Sequence, residues 1–227
     1  MPRIGIATPH RRHDRLVDHV RRMLGEYDVI RIFDRGALTL EALRAIDPQL
    51  VFFPHWSWLI PDEIHDRFEC VVFHMTDLPY GRGGTPLQNL IVRGHKETKL
   101  SALRCAAELD AGPIYLKRPL SLAGTAEDIF SRATDAMQEM IVEIVRRRPE
   151  PEPQKGEPTV FPRRRPEDGN FAKLERLKEI YDYIRMLDAE GYPPAFLETE
   201  HFRFEFSGAS IEHGAVQAKV SIRKRQP

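Results

Sequence analysis

The stretch from Cys70 to Lys117 reads CVVFHMTDLPYGRGGTPLQNLIVRGHKETKLSALRCAAELDAGPIYLK. Its first four residues are apolar and lead into His74, which is typical of a buried strand that ends at a histidine. In open α/β sheets, ligands bind at the carboxyl ends of the strands. The stretch therefore predicts that His74 lies at the ligand-binding edge of a sheet.

A glycine- and proline-rich turn, residues 78–86, follows the histidine directly. Such a turn leaves backbone amides free to face a bound group. Asp110 comes thirty-six residues after His74, just before a second strand-like run at residues 114–116. The pattern predicts that a histidine and a carboxylate converge on one edge of one sheet.

The preceding residues alternate between strand and helix patterns. Strands are predicted at residues 3–7, 28–33 and 50–53, and helices at 12–27 and 40–46. This alternation predicts an α/β fold with a mostly parallel sheet. A nicotinamide-binding domain would carry G-x-G-x-x-G after its first strand, whereas the chain has Gly5-Ile6-Ala7-Thr8-Pro9-His10. The dinucleotide fingerprint is therefore missing.

The residues after the opening stretch complete this domain. Residues 97–105 resemble an outer strand of the same sheet, and Thr125 with Asp128 forms a capping-box-like start to the longest helix. The buried stripe of that helix is predicted to be Ile129, Ala133, Ala136, Met137, Met140, Ile141, Ile144 and Val145.

A proline-rich segment, PEPEPQKGEP at residues 149–158, cannot continue the helix and predicts an extended linker. A helix at 171–190 and alternating strands at 202–206 and 216–222 follow. We therefore predict a catalytic domain at residues 1–148, a linker at 149–159 and a small C-terminal α+β appendage at 160–227.

Composition predicts an ordinary soluble globular protein. The 227 residues are 41% hydrophobic and 30% charged, and Lys plus Arg equals Asp plus Glu at 34 each. The balanced charge argues mildly against a tRNA substrate. No apolar run approaches the length of a membrane span, and the two cysteines suggest neither a disulfide framework nor a metal site. A cytoplasmic location is expected.

The order of these motifs resembles the folate-dependent formyltransferases, which include methionyl-tRNA and nucleotide-sugar N-formyltransferases. The family pattern is Asn-x-His-x-Ser, Leu-Pro, an Arg-Gly turn, a helix with an early proline, Glu-Thr, and Asp-x-Gly. The matching residues are Val72-Phe73-His74-Met75-Thr76, Leu78-Pro79, Arg82-Gly83, Pro86, Glu97-Thr98 and Asp110-Ala111-Gly112. One element differs, because Val72 stands where the family has asparagine.

The resemblance implies a Rossmann-like formyltransferase domain, with 10-formyltetrahydrofolate as formyl donor and no metal. His74 and Asp110 would be catalytic. The loop after the third strand would line the pterin pocket. The implied cofactor contacts are Trp58, Leu59, Ile60 and Leu109, and the implied substrate contacts are Thr76, Arg82, Gly83 and Gln88. The alternatives are tryptophans that only cap the core, an ordinary tight turn at Arg82, and a structural His74–Asp110 pair.

The C-terminal segment resembles that of nucleotide-sugar formyltransferases, through Ile184-Arg185 and Tyr192-Pro193-Pro194-Ala195-Phe196. About sixty-five residues are too few for the tRNA-binding barrel of methionyl-tRNA formyltransferases. The predicted acceptor is therefore the primary amine of a nucleotide-linked amino sugar. A methionyl-tRNA formyltransferase stays open, as does a non-catalytic folate- or nucleotide-binding paralogue, because of Val72. A homodimer is also left open.

Overall fold

The computed structural model describes residues 1–225. Its strands are β1 (Arg3–Ala7), β2 (Asp28–Ile32), β3 (Leu50–Phe53), β4 (Cys70–His74), β5 (Arg82–Gly83), β6 (Glu97–Arg104), β7 (Ile114–Ser121), β8 (Val160–Phe161), β9 (Ala195–Glu198), β10 (Phe202–Glu212) and β11 (Ala215–Lys224). Its α-helices are α1 (Asp14–Met23), α2 (Leu40–Ile46), α3 (Asp62–His65), α4 (Pro86–Val92), α5 (Ala126–Arg147) and α6 (Leu177–Arg185). Within the described residues, no helix is long and apolar enough to cross a membrane.

The chain forms two compact units. The first comprises Met1–Gly83, Thr98–Leu120 and Ser131–Val160, and the second comprises Gly84–Glu97, Ser121–Phe130 and the residues from Phe161 onward. The proline-rich segment belongs to the first unit, where Glu152 pairs with Ile114 through two backbone hydrogen bonds of 2.7 and 2.9 Å. The predicted functional division at residues 148 and 160 stays a prediction.

A six-stranded sheet in the order β2-β1-β3-β4-β6-β7 organises the first unit. The pairs β1–β2, β1–β3 and β3–β4 are parallel, and β6 is antiparallel to β4. The predicted α/β fold with a mostly parallel sheet is confirmed. One detail is wrong: β6 is not an outer strand, because β7 lies beyond it and residues 100–103 are all buried.

Apolar side chains from β1, β2, β3 and the start of β4 form a compact core with those of the connecting segments. Its buried members are Ala7, Ile32, Leu38, Leu43, Val51, Phe53, Ile64 and Cys70. The predicted apolar stripe of α5 is buried as expected, apart from the half-buried Ala136. Its capping box also forms, since Thr125 N donates to Asp128 Oδ2 and Asp128 N donates to Thr125 Oγ1.

The second unit contains a three-stranded antiparallel sheet in the order β11-β10-β9, packed on α6. The predicted helix at 171–190 is longer than the observed one, which begins only at Leu177. Asn170 Oδ1 accepts from Ala172 N, and this turn replaces the first helical residues. Leu177, the first residue of the observed helix, is 49% exposed.

Candidate active site

His74 is the last residue of β4, two residues past the point where β4 stops pairing with β3. Its buried ring places Nε2 2.7 Å from the Gly81 carbonyl oxygen and Nδ1 3.4 Å from Asp110 Oδ2. Because a carbonyl oxygen only accepts, Nε2 carries the proton donated to Gly81. The distance between Nδ1 and Asp110 Oδ2 exceeds that of a strong hydrogen bond, so the two side chains are neighbours without being tightly bonded.

Asp110 lies in the loop between β6 and β7 and adopts a left-handed backbone conformation with φ of 54°. Aspartate tolerates this conformation better than most residues. Its Oδ2 accepts from the Gly83 amide at 2.9 Å. Two residues on, a Cβ at Gly112 would lie 1.8 Å from the Arg104 carbonyl oxygen, so only glycine fits there. The loop is tightly folded and aims the carboxylate at His74.

The glycine-rich turn supplies the other side of the site. Gly81 and Gly83 have positive φ values of 75° and 100°, which glycine adopts without steric cost. The turn directs the Gly81 carbonyl to His74 and the Gly83 amide to Asp110. Backbone groups of the turn therefore hold both members of the pair.

Arg82 does not extend into solvent. Its NH1 is 2.9 Å from Glu108 Oε1, and its Nε and NH2 are 3.1 and 2.9 Å from Gln154 Oε1. The Gln154 side chain also donates to the carbonyl oxygens of Asp110 (2.7 Å) and Gly112 (2.9 Å). The sequence did not indicate Gln154, because it lies in the predicted linker. Substrate binding by Arg82 stays a prediction, and its observed partners are within the protein.

Two other predicted substrate residues are buried. Thr76 is fully buried in the first unit, and its hydroxyl lies 3.4 Å from the Gly81 carbonyl oxygen. Gln88 belongs to α4 of the second unit, where its buried amide donates to the Met186 carbonyl oxygen at 3.2 Å. Substrate binding by Thr76 and Gln88 stays a prediction, and the partners observed for both side chains are within the protein.

The loop after β3 exposes apolar side chains. Trp58 is 38% exposed and Leu59 79%, while Ile60 packs against the core of the first unit. Leu109, in the same unit, is 56% exposed. Trp56 contacts Trp58 edge-on at 4.9 Å between ring centroids, and its Nε1 is buried without a hydrogen-bond partner among the described residues. The role of these residues in holding a pterin stays a prediction.

Val72 also packs against the core of the first unit. Its position in β4 is therefore filled by an apolar side chain, with no side-chain group to donate a hydrogen bond. Any donor beyond His74 must come from the backbone or from another side chain.

A pair of stacked histidines connects the loops that follow β1 and β3. Thr8 Oγ1 is 2.5 Å from His13 Nδ1, and His13 Nε2 is 2.9 Å from His55 Nδ1. The two rings stack with centroids 5.0 Å apart. Burial, reinforced by the nearby charge of His55, lowers the pKa of His13 to about 2. Burial, reinforced by His10 and Arg12, lowers the pKa of His55 to about 3.

These shifts predict a loss of stability in mild acid. Below pH 6.5 the unfolded chain binds protons on both histidines, whereas the folded chain, with pKa values of about 3 and 2, does not. Each histidine should lower the free energy of unfolding by about 1.4 kcal/mol per pH unit in that range. Urea unfolding at pH 7.5, 6 and 5 measures this slope.

The control for this experiment is His201→Gln, which replaces a solvent-exposed histidine. His201→Gln should show the same slope as the wild type, and His13→Gln a clearly shallower one. An unchanged slope in His13→Gln would show that the pair does not titrate on unfolding as described.

Comparison with known proteins places this geometry in a family. The chain is 47% identical, over 99% of its length and 100% of that chain, to the structure of methionyl-tRNA formyltransferase from Clostridium thermocellum, with a TM-score of 0.96. A 4-N formyltransferase from Francisella tularensis superposes with a TM-score of 0.69 at 16% identity, covering 88% of this chain and 93% of that one. The protein thus has the Rossmann-like fold of formyltransferases.

The sequence matches agree with this class. Methionyl-tRNA formyltransferase from Thermus thermophilus is 32% identical over 148 residues, which cover 63% of this chain and 48% of the relative. The family model described as methionyl-tRNA formyltransferase, C-terminal domain, matches residues 166–223. The chain belongs to the formyltransferase family. It spans about half the length of the curated relatives it matches.

The resemblance predicted from the motifs is therefore confirmed for the family. The narrower prediction of a nucleotide-sugar enzyme is not confirmed, because the relatives from Clostridium thermocellum and Thermus thermophilus carry the name methionyl-tRNA formyltransferase.

Proposed function

We propose that the protein is a folate-dependent N-formyltransferase, which moves the formyl group of 10-formyltetrahydrofolate to a primary amine. The observation that carries the proposal is the His74–Asp110 pair, fixed by the Gly81 carbonyl and the Gly83 amide, in a chain of the formyltransferase family. A buried histidine beside a carboxylate is suited to stabilising negative charge and moving a proton.

The transfer forms a bond from the amine nitrogen to the formyl carbon and breaks the bond from that carbon to the folate nitrogen. Negative charge develops on the formyl oxygen, and the amine nitrogen must lose a proton that the departing folate nitrogen gains. The His74 Nε2–H group is the donor for that oxygen, once it leaves the Gly81 carbonyl. Asp110 lies on the other side of the ring, with Oδ2 3.4 Å from Nδ1, and receives the proton in transit.

The first unit offers groups that suit a folate. Trp58, Leu59 and Leu109 expose apolar surface, which favours a flat fused ring. The buried Nε1–H group of Trp56 is a donor without an acceptor among residues 1–225. These features support the predicted donor substrate.

Methionyl-tRNA is the first acceptor proposed, because the relatives above 30% identity are named for it. A nucleotide-linked amino sugar is the second candidate, and one observation favours it. In the C-terminal sheet, Arg203, Arg223 and Arg225 lie 3.0–3.6 Å from Glu198 or Glu205, which neutralises much of the charge an RNA would meet.

The test is an acceptor panel. Purified protein is mixed with 10-formyltetrahydrofolate and either initiator methionyl-tRNA or nucleotide-linked amino sugars, and the formylated product is detected by mass. Transfer to methionyl-tRNA that weakens steeply with added salt supports the first acceptor. Transfer to an amino sugar alone supports the second. No transfer to any amine, with folate still bound, refutes catalysis and leaves a folate-binding protein.

A further inference from the structure

Gln154 has every hydrogen-bonding position of its side chain occupied. Its Nε2 donates to the carbonyl oxygens of Asp110 (2.7 Å) and Gly112 (2.9 Å). Its Oε1 accepts from Nε and NH2 of Arg82 at 3.1 and 2.9 Å. A glutamine amide has two donors and two acceptor lone pairs, so no capacity remains for a ligand. The side chain therefore acts within the protein.

The partners of Gln154 are the two segments that meet at His74. One is the loop in which Asp110 adopts φ of 54° and Gly112 passes close to the Arg104 carbonyl. The other is the glycine-rich turn, where Arg82 lies between the Gly81 carbonyl and the Gly83 amide that hold His74 and Asp110. A backbone in an uncommon conformation persists only where its surroundings fix it. Gln154 supplies two of the bonds that do so.

The segment that carries Gln154 is itself anchored on both sides. Before it, Glu152 N donates to the Ile114 carbonyl, and the Glu152 carbonyl accepts from Ile114 N. After it, Arg82 N donates to the Thr159 carbonyl at 2.8 Å, and Thr159 N donates to the Pro79 carbonyl at 3.1 Å. The prolines at 151 and 153 further restrict the backbone. The side-chain amide of Gln154 therefore extends from a segment whose backbone is held at both ends, not from a flexible linker.

We propose that Gln154 is a positioning residue for formyl transfer, which holds the Asp110 loop and the Arg82 turn together so that Asp110 faces His74. The expected fall in kcat rests on the proposed function. The expected change in the contact between Asp110 and His74 rests only on the hydrogen bonds of Gln154. The orientation of the amide is fixed, because a flipped amide would direct its oxygen at two carbonyl oxygens and its NH₂ group at a guanidinium.

Gln154→Glu tests this directly, since it keeps the size and the acceptor for Arg82 but replaces the Nε2 donor by an oxygen facing two carbonyls. We expect kcat to fall about 10- to 100-fold, because a displacement of about 1 Å at a reacting group can cost about a hundredfold. The KM for 10-formyltetrahydrofolate should change less than about twofold, because Gln154 has no capacity left to bind it. Gln217→Glu, on the exposed face of β11, is the matched control.

A second measurement separates positioning from activity. The ¹⁵N chemical shifts of the His74 ring, at a fixed pH, report its contact with Asp110 in wild type and variants whether or not turnover occurs. We expect them to change in Gln154→Glu and not in Gln217→Glu. Gln154→Met, which removes the amide without adding charge, replaces the glutamate variant should that one not fold.

The outcomes are distinct. Reduced kcat with unchanged KM and altered His74 shifts supports the inference. Altered His74 shifts in the Gln154 variant, together with a wild type that formylates nothing, support the positioning role while the proposed function fails. Unaltered His74 shifts, or wild-type kcat in a folded Gln154 variant, overturn the inference.

Discussion

His74→Ala is expected to lower kcat for formyl transfer by about a hundred- to a thousandfold, because it removes the donor that would stabilise the formyl oxygen in the transition state. Binding of tetrahydrofolate should change little, since the ring lies among Gly81, Asp110 and the strand end rather than in the exposed apolar loop. Single-turnover kinetics gives the chemical step, and calorimetry gives the folate affinity.

The control is His201→Ala, because His201 is exposed in the second unit and pairs only loosely, at 4.0 Å, with Glu200. It should keep wild-type turnover. If folded His74→Ala retained more than about a tenth of the wild-type kcat, an effect far smaller than the loss of one oxyanion donor, His74 would be a structural residue.

The position of His74 could be predicted because the signals for it are local. The apolar run 70–73 predicts a buried strand, and a parallel sheet presents ligand sites where such strands end. The glycines and prolines of residues 78–86 predict a turn, and the structure has one there, with positive φ at Gly81 and Gly83. Each of these patterns is contained in a few consecutive residues.

The sequence predicts that Asp110 lies near His74 but does not predict the path of the loop that brings it there. Because β6 is antiparallel to β4, the loop after β6 begins beside the start of β4, with Cys105 N 2.8 Å from the Cys70 carbonyl oxygen. The loop must fold back along β4 before Asp110 reaches His74 at the other end. The spacing of thirty-six residues does not predict that the loop folds back along β4, and neither does the rule that ligands bind at the ends of parallel strands.

Gln154 could not be predicted at all. The neighbouring residues are mostly proline and glutamate, which is typical of a linker. The hydrogen-bond partners of Gln154 lie 42 to 72 positions away in the sequence. Polar residues whose partners are distant in sequence leave no periodic or local signal. Substrate contact by the buried Thr76 and Gln88 stays a prediction.

Asp110→Asn is expected to lower kcat by about a hundredfold or more while leaving the fold intact. The amide keeps the shape of the side chain and an oxygen for the Gly83 N–H group, but it removes the negative charge that faces His74 Nδ1. A histidine that stabilises negative charge and moves a proton in the transition state is assisted by the negative charge of a facing carboxylate. The effect should therefore appear in kcat, with the KM for the folate nearly unchanged.

The matched control is Asp135→Asn on the exposed side of α5, which should behave as wild type in both turnover and urea unfolding. Combining Asp110→Asn with His74→Ala adds a further check. Because the two side chains are proposed to work as a unit, the double variant should be only slightly slower than His74→Ala alone. Losses that multiply across the double variant would mean that Asp110 and His74 act independently and that the pair is not the catalytic unit.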